Sequence, residues 1–117
     1  MTRSTLPARR SHALSTGDVA VLRSMLEEQR EFRIDQLRQL HHPGPGALLS
    51  TTDPEIFRSL SAGARAALCD VQAALWRMDE GRYGRCTECD GPVELERLEI
   101  LPQAATCLAC RPAAPRG

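Results

Sequence analysis

Cys86-Thr87-Glu88-Cys89 and Cys107-Leu108-Ala109-Cys110 decide how this chain is read. Each pair encloses two residues, and seventeen residues separate the pairs. Two C-x2-C pairs about 15–20 residues apart form a zinc-site pattern. Two residues between cysteines allow a tight turn that aims both sulfurs at one ion, with the turn's amides left to hydrogen-bond the thiolates. Two such turns supply four soft donors, enough to close a tetrahedral Zn2+ shell. Cys86, Cys89, Cys107 and Cys110 are therefore the expected metal ligands. A closed shell leaves no position for water or substrate, so one structural Zn2+ per chain is expected.

The flanking residues agree. Gly84 precedes the first pair and Asp90-Gly91-Pro92 follows it. A knuckle needs a residue that accepts the left-handed region just after its second cysteine, and Asp and Gly both do. Two alternatives share the spacing. Four clustered cysteines form two disulfides in small secreted proteins, and four thiolates also suit an iron–sulfur centre. A fifth cysteine, Cys69, stands alone.

Composition bounds the rest. The chain has 117 residues and only 3% aromatics, so metal and helix–helix contacts are expected to supply much of its stability. Fifteen basic and fifteen acidic residues give zero formal charge, which argues against binding nucleic acid by charge alone. All the basic residues are arginines. No apolar run approaches the roughly 20 residues of a membrane span, and residues 1–15 lack the apolar segment of a signal peptide. A soluble, cytoplasmic protein with reduced thiols is expected.

Residues 1–15 show no periodicity and read as a disordered tail, as do residues 113–117. Ser15 or Thr16 caps a first helix over 16–41, with Asp18 in its first turn. Val19, Leu22, Leu26, Leu37 and Leu40 form an apolar stripe, thinned by Gln29 and Arg33. Glu27 is expected to face Arg30, and Asp35 to face Arg38. His41-His42-Pro43-Gly44-Pro45-Gly46 ends the helix. Adjacent histidines point about 100° apart on a helix and chelate poorly, so they are read as complements of the helix dipole. Asp53-Pro54-Glu55 starts a second helix over 54–80, with Asp53 as N-cap. Phe57, Leu60, Ala64, Leu68, Val71, Leu75 and Met78 recur at coiled-coil spacing, and Gly81 closes the helix. Each helix spans roughly 40 Å at about 1.5 Å per residue. The fold class is mainly α: an antiparallel helical hairpin over 16–80 with its tip at 43–52, then a small four-cysteine zinc finger over 81–112. Val93-Glu94-Leu95 and Ala105-Thr106 are expected to add a short β-pair, and Cys69 to pack as a small hydrophobe beside Leu68.

A long hairpin leading through Tyr83-Gly84 into this finger resembles the DksA/TraR family of bacterial regulators. The family pattern continues with an Arg-Leu pair, a Pro and an Ala before the second cysteine pair, here Arg97-Leu98, Pro102 and Ala104. The resemblance is strong over 81–110 and extends over about 16–110 with the hairpin. It implies that the chain binds RNA polymerase, inserts the hairpin into the secondary channel and docks the finger outside, without sequence-specific DNA binding. Two departures stand out. The residue after Cys89 is usually Gly in the family and is Asp90 here. Well-studied members carry paired Asp at the tip, whereas residues 41–52 contain no acid.

Three readings compete. The first is a polymerase-binding transcriptional regulator with no small-molecule substrate. The second is a zinc-ribbon module that binds nucleic acid or another protein directly. Arg82, Arg85, Arg97 and Arg111 are nearly balanced by Glu88, Asp90, Glu94, Glu96 and Glu99, which disfavours the nucleic-acid version. The third, an enzyme, lacks a nucleophile–base set, a phosphate loop or an open metal shell.

Overall fold

The computed structural model describes residues 14–46 and 52–111. The tails expected at 1–15 and 113–117 lie outside the described residues except for Leu14 and Ser15, as do residues 47–51 of the tip. Three helices occur among the described residues: α1 over Thr16–His41, α2 over Pro54–Asp79 and α3 over Leu95–Ile100. The first two pack against each other.

The helix ends are set by local chemistry. Ser15 caps α1 reciprocally. Its hydroxyl accepts from the Asp18 amide at 2.9 Å, while the Asp18 carboxylate accepts from the Ser15 amide at 3.0 Å. The helix stops at His42, which leaves helical geometry at φ −137° and ψ 68° just before Pro43. In α2, Pro54 needs no amide partner, and the Asp53 carboxylate accepts from the Glu55 and Ile56 amides. The far end of α2 is a Schellman motif. Gly81 takes φ +73°, its amide bonds to the Met78 carbonyl at 3.1 Å, and the Arg82 amide reaches back to the Arg77 carbonyl at 2.9 Å.

The core sits where the hairpin meets the finger. Leu22 and Leu26 of α1 and Val71, Ala74, Leu75 and Met78 of α2 form one buried cluster with Cys86, Val93, Leu98 and Cys107. Burying a leucine fully stabilises by about 1.5–3 kcal/mol, so Leu22, Leu26 and Leu98 are major anchors of this junction. Leu14 and Tyr83 pack against the same cluster. Towards the tip, burial thins to Leu40, Ser61 and Ala64. Phe57 is half-buried and meets the edge of His41 with ring centroids 5.2 Å apart.

The seam expected on α2 is present, with Ala64, Val71, Leu75 and Met78 buried and Phe57, Leu60 and Leu68 half-buried. Other expectations need correction. Leu95 opens α3 rather than extending a strand, and the sole β-bridge among the described residues joins Arg85 to Pro92. Ala105 instead offers its carbonyl to the Thr87 amide at 2.9 Å. Cys69 is exposed, because it follows Leu68 around the helix onto the solvent side. Arg30 pairs with Glu31 at 3.7 Å, while the Asp35–Arg38 pair forms as expected at 3.7 Å. An ion pair between α1 and the end of α2, Arg23 to Asp79 at 3.1 Å, has no local sequence signature.

Candidate metal centre

Four sulfurs converge beyond the end of α2. The Sγ atoms of Cys86, Cys89, Cys107 and Cys110 all lie within 4.8 Å of one another, and none is in a disulfide. Cys89 Sγ and Cys107 Sγ are 3.8 Å apart. A tetrahedral Zn2+ with Zn–S bonds of about 2.3 Å separates its sulfurs by about 3.8 Å, so this spacing fits the ion. The fully buried Cys86 and nearly buried Cys107 anchor the centre in the core, and Cys89 faces solvent.

The first knuckle is a short loop closed on itself. The Cys86 amide donates to the Gly91 carbonyl at 2.7 Å, and the Asp90 amide donates to the Cys86 carbonyl at 2.8 Å. This turn aims the Glu88 amide at Cys86 Sγ and the Gly91 amide at Cys89 Sγ, each at 3.4 Å. Amides directed at thiolates stabilise their negative charge. Asp90 takes φ +63° to complete the turn. Its carboxylate accepts from Arg85 Nε at 3.0 Å and Nη2 at 2.7 Å, a two-pronged pair that also holds the Asp90 acid below its usual range. In the second knuckle, the Cys110 amide donates to the Cys107 carbonyl at 3.1 Å.

The thiols differ in acidity. Burial opposes charge on Cys86, but amide bonds from Cys107, Cys89 and Glu88, with the Cys89 thiol, outweigh it and bring the group down to about 6. Bonds to the Cys89 and Cys107 sulfurs, together with burial, push Cys110 up to about 12. Metal binding requires thiolates, so it displaces the protons that these thiols hold.

Several residues that flank and join the knuckles have a visible task. Gly84 takes φ +87°, and a Cβ there would meet Leu14 Cδ1 at 3.0 Å. The Gly84 carbonyl accepts from the Val93 amide at 2.8 Å. Tyr83 donates its hydroxyl to the Pro102 carbonyl at 2.7 Å. Arg97 Nε donates to the Thr106 carbonyl at 2.9 Å, which ties α3 to the second knuckle, and Leu98 is the fully buried side of that helix.

Residues 81–116 match the family model of the prokaryotic dksA/traR C4-type zinc finger. This finger is of the DksA/TraR type. The match covers just under a third of the chain and leaves the hairpin outside. No curated protein and no solved structure matches the chain. The DksA/TraR finger type and the convergent sulfurs together call for one structural zinc, and the family points to a role in transcription. No helix among the described residues is long and apolar enough to cross a membrane.

His41 and His42, at the far end of the hairpin, are exposed and take no part in this centre. His41 lies 3.3 Å from Arg65 through its Nε2. Sequence reasoning passed over Arg77, a buried arginine at the junction. Its signal was available, because Arg77 sits three residues beyond Ala74 and one before Met78, on the apolar side of α2.

Proposed function

We propose that this protein is a non-enzymatic transcriptional regulator that binds RNA polymerase in the cytoplasm. In this reading Cys86, Cys89, Cys107 and Cys110 ligate one structural Zn2+. The finger docks on the polymerase surface, and the hairpin reaches into the secondary channel. The observation that carries it is a DksA/TraR-type finger preceded in the same chain by two packed helices of 26 residues each. Such helices are about 39 Å long at about 1.5 Å per residue, a reach that a small core does not need.

A protein partner is favoured over nucleic acid by the outer face of the finger. Ile100, Leu101 and Leu108 are 78%, 43% and 46% exposed. They line an apolar cleft of about 330 Å³ together with Glu94, Glu96 and Arg97. Exposed apolar side chains suit a protein surface, whereas a phosphate backbone calls for a basic one. Among the described residues, the four cysteines are the sole cluster of metal-ligand type, and a closed thiolate shell offers no place for a substrate.

The tip acts sterically in this reading. Residues 41–52 carry no acid, and the nearby Asp53 carboxylate caps α2. A carboxylate near a catalytic Mg2+ acts by strong local electrostatics, which imidazole and backbone groups do not reproduce. Binding to purified polymerase, paired with transcription from a sensitive promoter, tests this. Wild type, Gly44→Asp and Gly46→Asp should bind alike, with stronger transcriptional effects from the acidic variants. Absence of polymerase binding by the wild type refutes the function. Equal transcriptional effects from all three refute the account of the tip alone.

A further inference from the structure

The apolar cleft of Ile100, Leu101 and Leu108 has an unmet electrostatic demand. Glu94 lines it, and the Glu94 Oε1 atom is buried without a hydrogen-bond partner among the described residues. An unpaired buried carboxylate oxygen is unfavourable, and a guanidinium is its strongest donor. Glu96 lines the same cleft, and neither carboxylate forms an ion pair among the described residues. Arg97 lines it too, but its Nε donates to the Thr106 carbonyl at 2.9 Å and it pairs with neither acid. Leu108 belongs to the second knuckle, where in our reading a zinc tetrathiolate adds further negative charge. The fitting occupant therefore combines an apolar side chain with nearby cations.

The chain carries such a segment itself. Residues 1–13, which lie outside the described residues, include Leu6, Arg3, Arg9 and Arg10 and contain no acid. Leu14 fixes where this arm leaves the fold. It packs against the core of the junction, so close to Gly84 that a Cβ there would meet Leu14 Cδ1 at 3.0 Å. The Gly84 carbonyl accepts from the Val93 amide at 2.8 Å, and the next residue along is Glu94. The arm thus departs beside the strand of chain that leads into the cleft. At about 3.3 Å per extended residue, Arg10 and Arg9 reach roughly 13–17 Å from Leu14, and Leu6 roughly 26 Å. A tethered segment meets its site at an effective concentration of about millimolar, so weak individual contacts suffice.

We propose that the N-terminal arm seats on this cleft in the free protein, with Leu6 against Ile100, Leu101 and Leu108 and with Arg9 or Arg10 paired to Glu94 and Glu96. The seated arm covers the outer face of the finger, so a protein that docks there must displace it. That displacement rests on the polymerase reading, whereas the seating itself does not.

The test is paramagnetic broadening in the zinc-loaded full chain, with a nitroxide on Ser4→Cys and with Cys69→Ser. The amides of Glu96, Ile100 and Leu108 should broaden strongly, and that of Phe32 on the shaft should not. Exposed charge pairs contribute modestly, so Glu96→Arg, or Arg9→Glu with Arg10→Glu, should weaken the seating about two- to fivefold. Leu6→Asp should relieve the broadening further, and the shaft variant Arg23→Gln should leave it unchanged. The arm variants lie outside the core, so they do not put the fold at risk. Broadening spread evenly over finger and shaft overturns the proposal, as does broadening indifferent to Leu6→Asp and to the paired Arg9→Glu and Arg10→Glu changes. Isotope-labelled chain mixed with unlabelled nitroxide-bearing chain tests for a second copy: equal broadening there assigns the cleft to a neighbouring molecule and also overturns it. Deleting residues 2–13 should tighten binding to purified polymerase about twofold or more, as removal of a competing tethered segment requires. Unchanged affinity overturns the displacement. Failure of both the wild type and the deletion to bind polymerase would instead refute the polymerase reading, and the broadening would still decide the seating.

Discussion

Asp90 carries the single positive φ found outside glycine among the described residues. A side chain in that region costs about 1–2 kcal/mol, less for Asp and Asn. Here the cost is offset by the two-pronged bond to Arg85, which is exposed and therefore modest. Asp90→Gly should leave thermal stability and zinc content nearly unchanged, while Asp90→Val should destabilise by about 1–2 kcal/mol in a melting experiment. Equal stability of the two variants would contradict the turn assignment. Tyr83 gives a pH-dependent test. Burial, partly countered by Arg77, pushes its hydroxyl up to about 12. Its ordinary value is about 10. Because the folded value is the higher one, the neutral phenol's contribution is complete below about pH 10 and lost as pH rises through about 12. Stability should fall over that window in wild type, and the fall should be shallower in Tyr83→Phe. The Phe variant should also lose about 0.5–1.5 kcal/mol at neutral pH, with the bond to Pro102. At this scale the sequence was legible wherever a residue has one geometric use. Asp90, Gly84 and the four cysteines belong to that group. Ser61 was not legible, because its burial comes from elements that meet only in the folded chain, whereas Arg77 lay on a legible apolar face and was passed over for its charge.

The helices were readable to within a residue, since Ser15, Asp53, Pro54 and Gly81 act through neighbours in sequence. The β-pair was misread because Val93 and Leu95 alternate like a strand, whereas Leu95, Leu98 and Leu101 also satisfy a helical step. Two positions on α2 remain improvable. A Cβ added at Gly63 would meet nothing within 4 Å, so Gly63→Ala should stabilise by about 0.5–1 kcal/mol, measured by thermal melting. Destabilisation would indicate a partner packed there. The buried Ser61 hydroxyl has no hydrogen-bond partner among the described residues. Replacing it with Ala removes an unpaired polar group, and should raise stability by about 1 kcal/mol.

Taken whole, the molecule is two elements with one core, and that is what the sequence least disclosed. Periodicity on α2 runs unbroken from Phe57 to Met78 and implies a self-sufficient hairpin. In the fold, Leu22, Leu26 and Met78 share their contacts with Cys86, Val93 and Leu98. Chelation should therefore lower the helical circular dichroism signal without abolishing it, as the base of the hairpin frays and the remainder persists. An unchanged signal would mean that the hairpin is independent of the metal; complete loss would mean that it has no stability of its own. The exposed Cys69 has a practical consequence in this setting. With the four finger sulfurs committed to zinc in our reading, it is the one thiol left for a maleimide probe. It lies on the shaft about 15 Å from the finger end of α2 and about 22 Å from the tip end, at roughly 1.5 Å per residue. A fluorophore there becomes a depth gauge: the distance from Cys69 to a labelled site on a partner would report how far the shaft has entered.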